Sequence, residues 1–435
     1  MSRFLDRQLR QTGTRFKLYP QTPALPDYKE PETVWLSPPP GTIGEGPSDD
    51  RMYVVHAINK KMYKDGSRLP YDGKAKDPAK PDAHGHFDHI DKEDSTFLAA
   101  HMYAGVRRTL DIWEGYAGHR IEWHFAPFHE RLEMIPYLKW RNAHFGLGFM
   151  ECGYEHEDRD ETKKSWPYSL NFDVLSHETG HGIVWSMLGM PMNATLTAEY
   201  LGFLEASADL VCLISTLHFD SLLDKVFEKT GGNLYIENEA NAIGDISKTA
   251  KLRSASNDLR MSDGPDPNRS AMGPNALTGK EIHKLCDPLT GAVFDLMIAM
   301  YHENLVHKGL IGSKLARDSR RFADKDEKTD PNKFRDDFQK AFDKAPEGFR
   351  EALEDARDQI GDRLVRTWKT MSPHNLTYAK FARDFMTIDR RLSGWENQDE
   401  IIQCFRWRFI GERFGQQIAD ARAETNKKKT KKTKK

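Results

Sequence analysis

The chain has 435 residues, enough for two or three domains with substantial cores. Its 64 lysines and arginines nearly balance 66 aspartates and glutamates, a net charge of −2, so no field of one sign marks a nucleic-acid-binding body. No stretch reaches the ~18 apolar residues of a membrane span, and the four cysteines lie too far apart for a disulfide framework, so they are read as buried thiols.

The first ten residues, Met1 to Arg10, hold no apolar run of the kind a secretory signal needs. The expected location is therefore the cytoplasm, or outside the cell by a signal-independent route. Residues 1–49 read as an extended arm, because prolines crowd the stretch from Tyr19 to Ser48. An α+β lobe is expected over 50–190. Within it His84, His86, Asp88 and His89 spell H-x-H-x-D-H, a metal-ligand pattern, but the residues before it are a polar, proline-marked loop rather than a strand.

The run from Ser176 to Met190 reads as a half-buried helix carrying His177-Glu178-Thr179-Gly180-His181. Two imidazoles four residues apart on a helix point the same way and can grip one zinc ion, with Glu178 beside the open position as a base. A break at Gly189, Pro191 and Asn193 ends it, and a second helix begins near Thr197. There Glu205 and Asp209 stand one turn apart amid Leu201, Phe203, Leu204, Leu210 and Val211. Buried carboxylates are rarely left without a cation or a donor. Glu205 is thus the expected third metal ligand, and Asp209 the partner of the far nitrogen of His177.

A helical lobe is expected over 191–308, with an apolar helix from Gly291 to Met300. A charged helical insertion follows over 309–362, where Phe334, Phe338 and Phe342 keep amphipathic spacing. The closing helices occupy 363–423, and 424–435 reads as a disordered tail because Asn426 to Lys435 holds seven lysines and no apolar residue. No internal repeat is visible.

These residues resemble the thermolysin-like zinc metallopeptidases, the gluzincins, in which H-E-x-x-H is followed some twenty residues later by a ligand glutamate and, four on, an aspartate. Pro167 to Val174 resembles that family's lead-in to the helix, Thr96 to Trp113 its long preceding helix, and Asn142-Ala143-His144-Phe145 its edge strand. Trp368 to Pro373 and Tyr378 to Ala382 resemble the closing helices, so roughly Tyr53 to Gly411 is covered.

The resemblance implies an α+β, two-lobe fold with the site between the lobes, and a zinc metalloendopeptidase acting on peptide or protein substrates. It implies substrate backbone contacts at Asn142 and Ala143, and an oxyanion-stabilising histidine at His283. The substrate arginine would be Arg260, with Arg253 as the other candidate. Calcium would be bound near Asp173 and Asp245. Where family members often carry an asparagine before the ligand glutamate this chain has Leu204, so something else must orient His181. Two other readings compete: a zinc- or peptide-binding protein on the same fold with turnover lost, and a metal hydrolase using the loop at 84–89. Oligomeric state stays open.

Overall fold

The computed structural model describes residues 2–64, 68–156, 160–191, 196–247, 250–267, 269, 276–321 and 329–411, without the side chains of 2–6, 245–247 and 250–252. After a first helix, α1 (Ser2–Thr12), the chain forms β1 (Thr14–Leu18) and β2 (Glu32–Leu36), paired antiparallel from Thr14↔Leu36 to Leu18↔Glu32. The alternation in Thr-Arg-Phe-Lys-Leu turns Phe16 and Leu18 inward, and Phe16 stacks on Phe87 and Tyr103. The stretch expected as an arm over 1–49 is therefore part of the core. The buried Gln21 and Tyr19 tie it down further: the Gln21 amide donates to Asp173, and the Tyr19 N–H donates to Nε2 of His101.

A four-stranded sheet follows, ordered β3 (Met52–Val54), β4 (Leu132–Ile135), β6 (Phe149–Cys152), β5 (Ala143–Phe145). The first three are parallel, and β5 runs antiparallel to β6 along one edge. Between β3 and β4 lies α2 (Phe97–Ala117), ended by Gly118 at φ +69°. Two small antiparallel pairs complete the strands: β7 (Tyr154–His156) with β8 (Ser165–Pro167), and β9 (Ala242–Ser247) with β10 (Ala250–Ser254).

The helices that carry the site are α3 (Phe172–Leu188) and α4 (Ala198–Thr216), followed by α5 (Asp220–Thr230). The Asn171 side chain caps α3 by accepting from the Asp173 N–H, and Thr197 caps α4 by accepting from the Tyr200 N–H. The two helices meet at Gly180, where an added Cβ would stand 3.0 Å from Cα of Ala208. That close approach is what brings the face of His177 and His181 against the face of Glu205.

The long α6 (Gly279–His307) packs on α4. Then come α7 (Ser313–Asp318), α8 (Arg335–Phe342), α9 (Pro346–Thr370), α10 (Tyr378–Ser393) and α11 (Gln398–Trp407). Since α9 runs unbroken through residue 362, the expected boundary between insertion and closing helices falls inside one helix. The expected tail at 424–435 lies outside the described residues. One continuous apolar cluster reaches from Phe16 to Ile410, crossing the expected lobe boundary at 190/191 through the α3–α4 contact.

The helices and small sheets together make the α+β character expected. All four cysteines are buried and unpaired. Among the described residues no single helix is long and apolar enough to cross a membrane; the apolar pair α4–α5 passes only together, bends by 94°, and α4 is almost wholly buried.

Candidate metal centre

His177 and His181 project from the same face of α3, and Glu205 faces them from the second turn of α4. Nε2 of His177 lies 3.4 Å from one oxygen of Glu205, and Nε2 of His181 lies 3.7 Å from the other. Donors arranged tetrahedrally at bonds of ~2.1 Å from an ion stand roughly 3.4 Å apart, so this spacing suits a zinc-sized cation. The three offer ligand atoms within 4.8 Å of one another, and they are the one such group of three among the described residues. Oε2 of Glu205 is buried and makes no well-aligned hydrogen bond, its neighbours being the imidazole nitrogens of His177 and His283 at 3.4 and 3.2 Å. Two imidazoles and one carboxylate are a donor set that zinc accepts.

Behind the trio stands a second row. Asp209, fully buried, lies 2.9 Å from Nδ1 of His177 and is gripped by Arg253 of β10 through two bonds of 2.8 and 2.5 Å. Burial alone would raise the Asp209 pKa, but the Arg253 charge beside it wins and holds it below the usual carboxylate range. For His177 burial works against the charged form, yet the carboxylates of Asp209 and Glu205 beside it outweigh burial and push the pKa up to about 10. Burial dominates at His181 and pushes its pKa down. The Glu205 carboxyl, despite burial, sits well below its ordinary range because the surrounding histidines favour its charge.

Glu178 is buried, and its charge, after burial itself, helps push up the thiol pKa of Cys152 on β6. Cys152 pairs with Ala143 in the register of β5. Along β5 the main chain of Asn142 accepts from Gly153 N–H, and Gly146 N–H donates to Phe149. Alternation in an antiparallel ladder then turns the N–H and C=O of Ala143 and Phe145 towards the free edge.

His283 reaches the cluster, its Nε2 3.2 Å from Glu205 Oε2, while remaining 44% exposed. It does so from the second turn of α6, not from a loop preceding a helix at Gly291. Thr278 and Glu281 form a capping box that starts the helix twelve residues earlier, and the helix carries Pro288 within it. Gly291 serves packing instead: a Cβ there would collide with the guanidinium of Arg408 at 2.6 Å.

Three expectations are corrected. Arg260, expected at the substrate, lies over the rings of Trp407 and Phe409, 4.1 and 5.1 Å from their centroids; the arginine at the cluster is Arg253. Asp173, expected to bind calcium, spends its carboxylate on Gln21, Thr216 and the Gly244 N–H, at 2.9, 3.2 and 3.2 Å; the side chain of Asp245 lies outside the described residues. The loop at 84–89 does not gather its histidines: Nδ1 of His86 accepts from the Arg15 N–H, Asp88 pairs with the Arg15 guanidinium at 2.9 Å, and His84 and His89 are exposed. Cys286, whose thiol lies 3.6 Å from Asp209, joins the second row with no sequence signal to announce it.

No protein-family profile matches the sequence, and no curated protein is similar to it at a significant level. Among solved structures the chain is similar to the "Precursor of Protealysin, Metalloproteinase from Serratia proteamaculans". The two are 15% identical over 79% of this chain and 84% of that one, with a TM-score of 0.37. A likeness at that level carries no inference, and the functional case stands on the cluster itself.

Proposed function

We propose that this chain is a zinc-dependent peptidase that cleaves peptide bonds with Glu178 as general base. The observation that carries the reading is the meeting of His177, His181 and Glu205, three donors from two helices at spacings a single ion can bridge. Zinc held by these three residues would supply an acidified water and a positive charge for the scissile carbonyl.

The chain's own residues do the rest. Glu178 takes a proton at its carboxylate during attack and returns it to the leaving nitrogen. His283, half exposed at the rim of the cluster, donates a hydrogen bond to the oxygen on which negative charge develops. An extended peptide lies along β5, bonded to the outward main-chain groups of Ala143 and to Asn142 beside them, so that backbone is read before side chain. Asp209, itself held by Arg253, fixes the tautomer and orientation of His177.

The test pairs zinc stoichiometry with casein cleavage for the wild type and for Glu178→Gln. The expected result is one zinc per chain in both, with turnover in the variant lower by roughly 10²–10⁴-fold. Cleavage by Glu178→Gln at the wild-type rate would sink the proposal.

A further inference from the structure

The two histidines of the cluster are held unequally. Nδ1 of His177 has Asp209 at 2.9 Å, whereas Nδ1 of His181 is buried with no hydrogen-bond partner. What lies against the His181 ring is the indole of Trp185, one turn further along α3, offset-stacked with centroids 5.7 Å apart and planes 30° apart. Trp185 is only partly buried, but it is wedged from behind: His124 meets it edge-on at 5.2 Å and Phe145 of β5 at 6.3 Å.

A ligating imidazole that coordinates through Nε2 keeps its proton on Nδ1, and an acceptor there normally fixes both tautomer and ring rotation. His181 has no such acceptor, so its rotation is left to packing. A flat aromatic surface one turn away on the same helical face restricts that rotation without offering an acceptor.

We infer that Trp185 is the positioning residue for His181, holding by its plane the ring that no hydrogen bond holds. This rests on the metal-centre reading above. It follows that the planarity of residue 185, rather than its polarity, sets how tightly the cluster grips zinc, and that the grip fails first at His181.

The test is zinc affinity of the full chain by chelator competition, for the wild type, Trp185→Phe and Trp185→Met, with the unfolding midpoint of each metal-free chain recorded alongside. Met fills much of the volume with a flexible chain that has no plane. Trp185→Phe should bind zinc nearly as the wild type does, and Trp185→Met should bind about 10-fold or more weaker, the size of losing an orienting partner. Metal-free midpoints should not track that difference. Trp185→Leu, equally without a plane, stands in if the Met chain does not fold. Affinity retained in Met or Leu overturns the inference, as does a Phe variant as weak as Met. A wild type that binds no zinc overturns the metal-centre reading and this inference with it; a wild type that binds while the series stays flat overturns the inference alone.

Discussion

Two parts of this chain are rich in histidine and acid, and only one of them gathers its side chains. In the loop at 84–89 the residues are close in sequence but point to different tasks, with His86 and Asp88 both turned to Arg15. On α3 and α4 they come from distant positions and meet, because the helical repeat sets His177 over His181 and the Gly180–Ala208 contact sets Glu205 opposite them. A metal site needs elements that aim its ligands, and a motif without such elements spends its polar atoms on its neighbours.

The sharpest way to break the comparison is to remove one residue from each part. Glu205→Ala should weaken zinc binding by roughly 10²–10³-fold, about a quarter to two-fifths of a total binding free energy on the order of 10 kcal/mol, whereas His86→Ala should leave it unchanged; chelator competition reads both. Next in size is Asp209→Asn, which removes the charge behind His177 and releases Arg253. Zinc affinity should fall by about 10–100-fold while the ion still binds.

A third kind of histidine sharpens the contrast. His101 is fully buried and spends both ring nitrogens on main chain: Nδ1 meets Ser169 O at 2.7 Å, and Nε2 accepts from Tyr19 N–H. Burial pushes its pKa, and that of the buried His302, down to about 3. In the unfolded chain both titrate near the ordinary 6.5, so between pH 6.5 and 3 the unfolded state binds more protons and stability falls as pH falls. The slope approaches about 1.4 kcal/mol per pH unit for each group, and denaturant titrations should show it flattened in His101→Gln. The smallest effect belongs to the loop. Asp88→Asn removes a partly exposed pair with Arg15 and should cost about 0.2–1 kcal/mol in the same titration, with zinc binding untouched.

What could be read from the sequence follows the same division. The trio was legible because its logic is local: four-residue spacing on one helix, and an acid inside an apolar one. The caps that bound these helices were partly legible too, since Thr197 stands where α4 begins, although α3 starts four residues earlier than the periodicity indicates because Asn171 caps it.

Contacts made by tertiary packing were not. Choosing Arg253 over Arg260 requires knowing that the β9–β10 pair lays its second strand beside Asp209, and nothing in Leu252-Arg253-Ser254 says so. Gly291 reads as a helix start, yet the helix runs through it, and the space left by its missing side chain lets Arg408 reach Asp295. The prolines after Tyr19 masked a hairpin whose two-residue alternation, in Thr14 to Leu18, was present all along.

The most direct measurement is X-ray absorption at the zinc edge of the metal-loaded chain. The account predicts nitrogen and oxygen neighbours at ~2.0–2.2 Å, with the multiple scattering of two imidazoles and no sulfur. A sulfur shell at ~2.3 Å, or a shell with no imidazole signature, would mean that the ion is held elsewhere and would contradict the account.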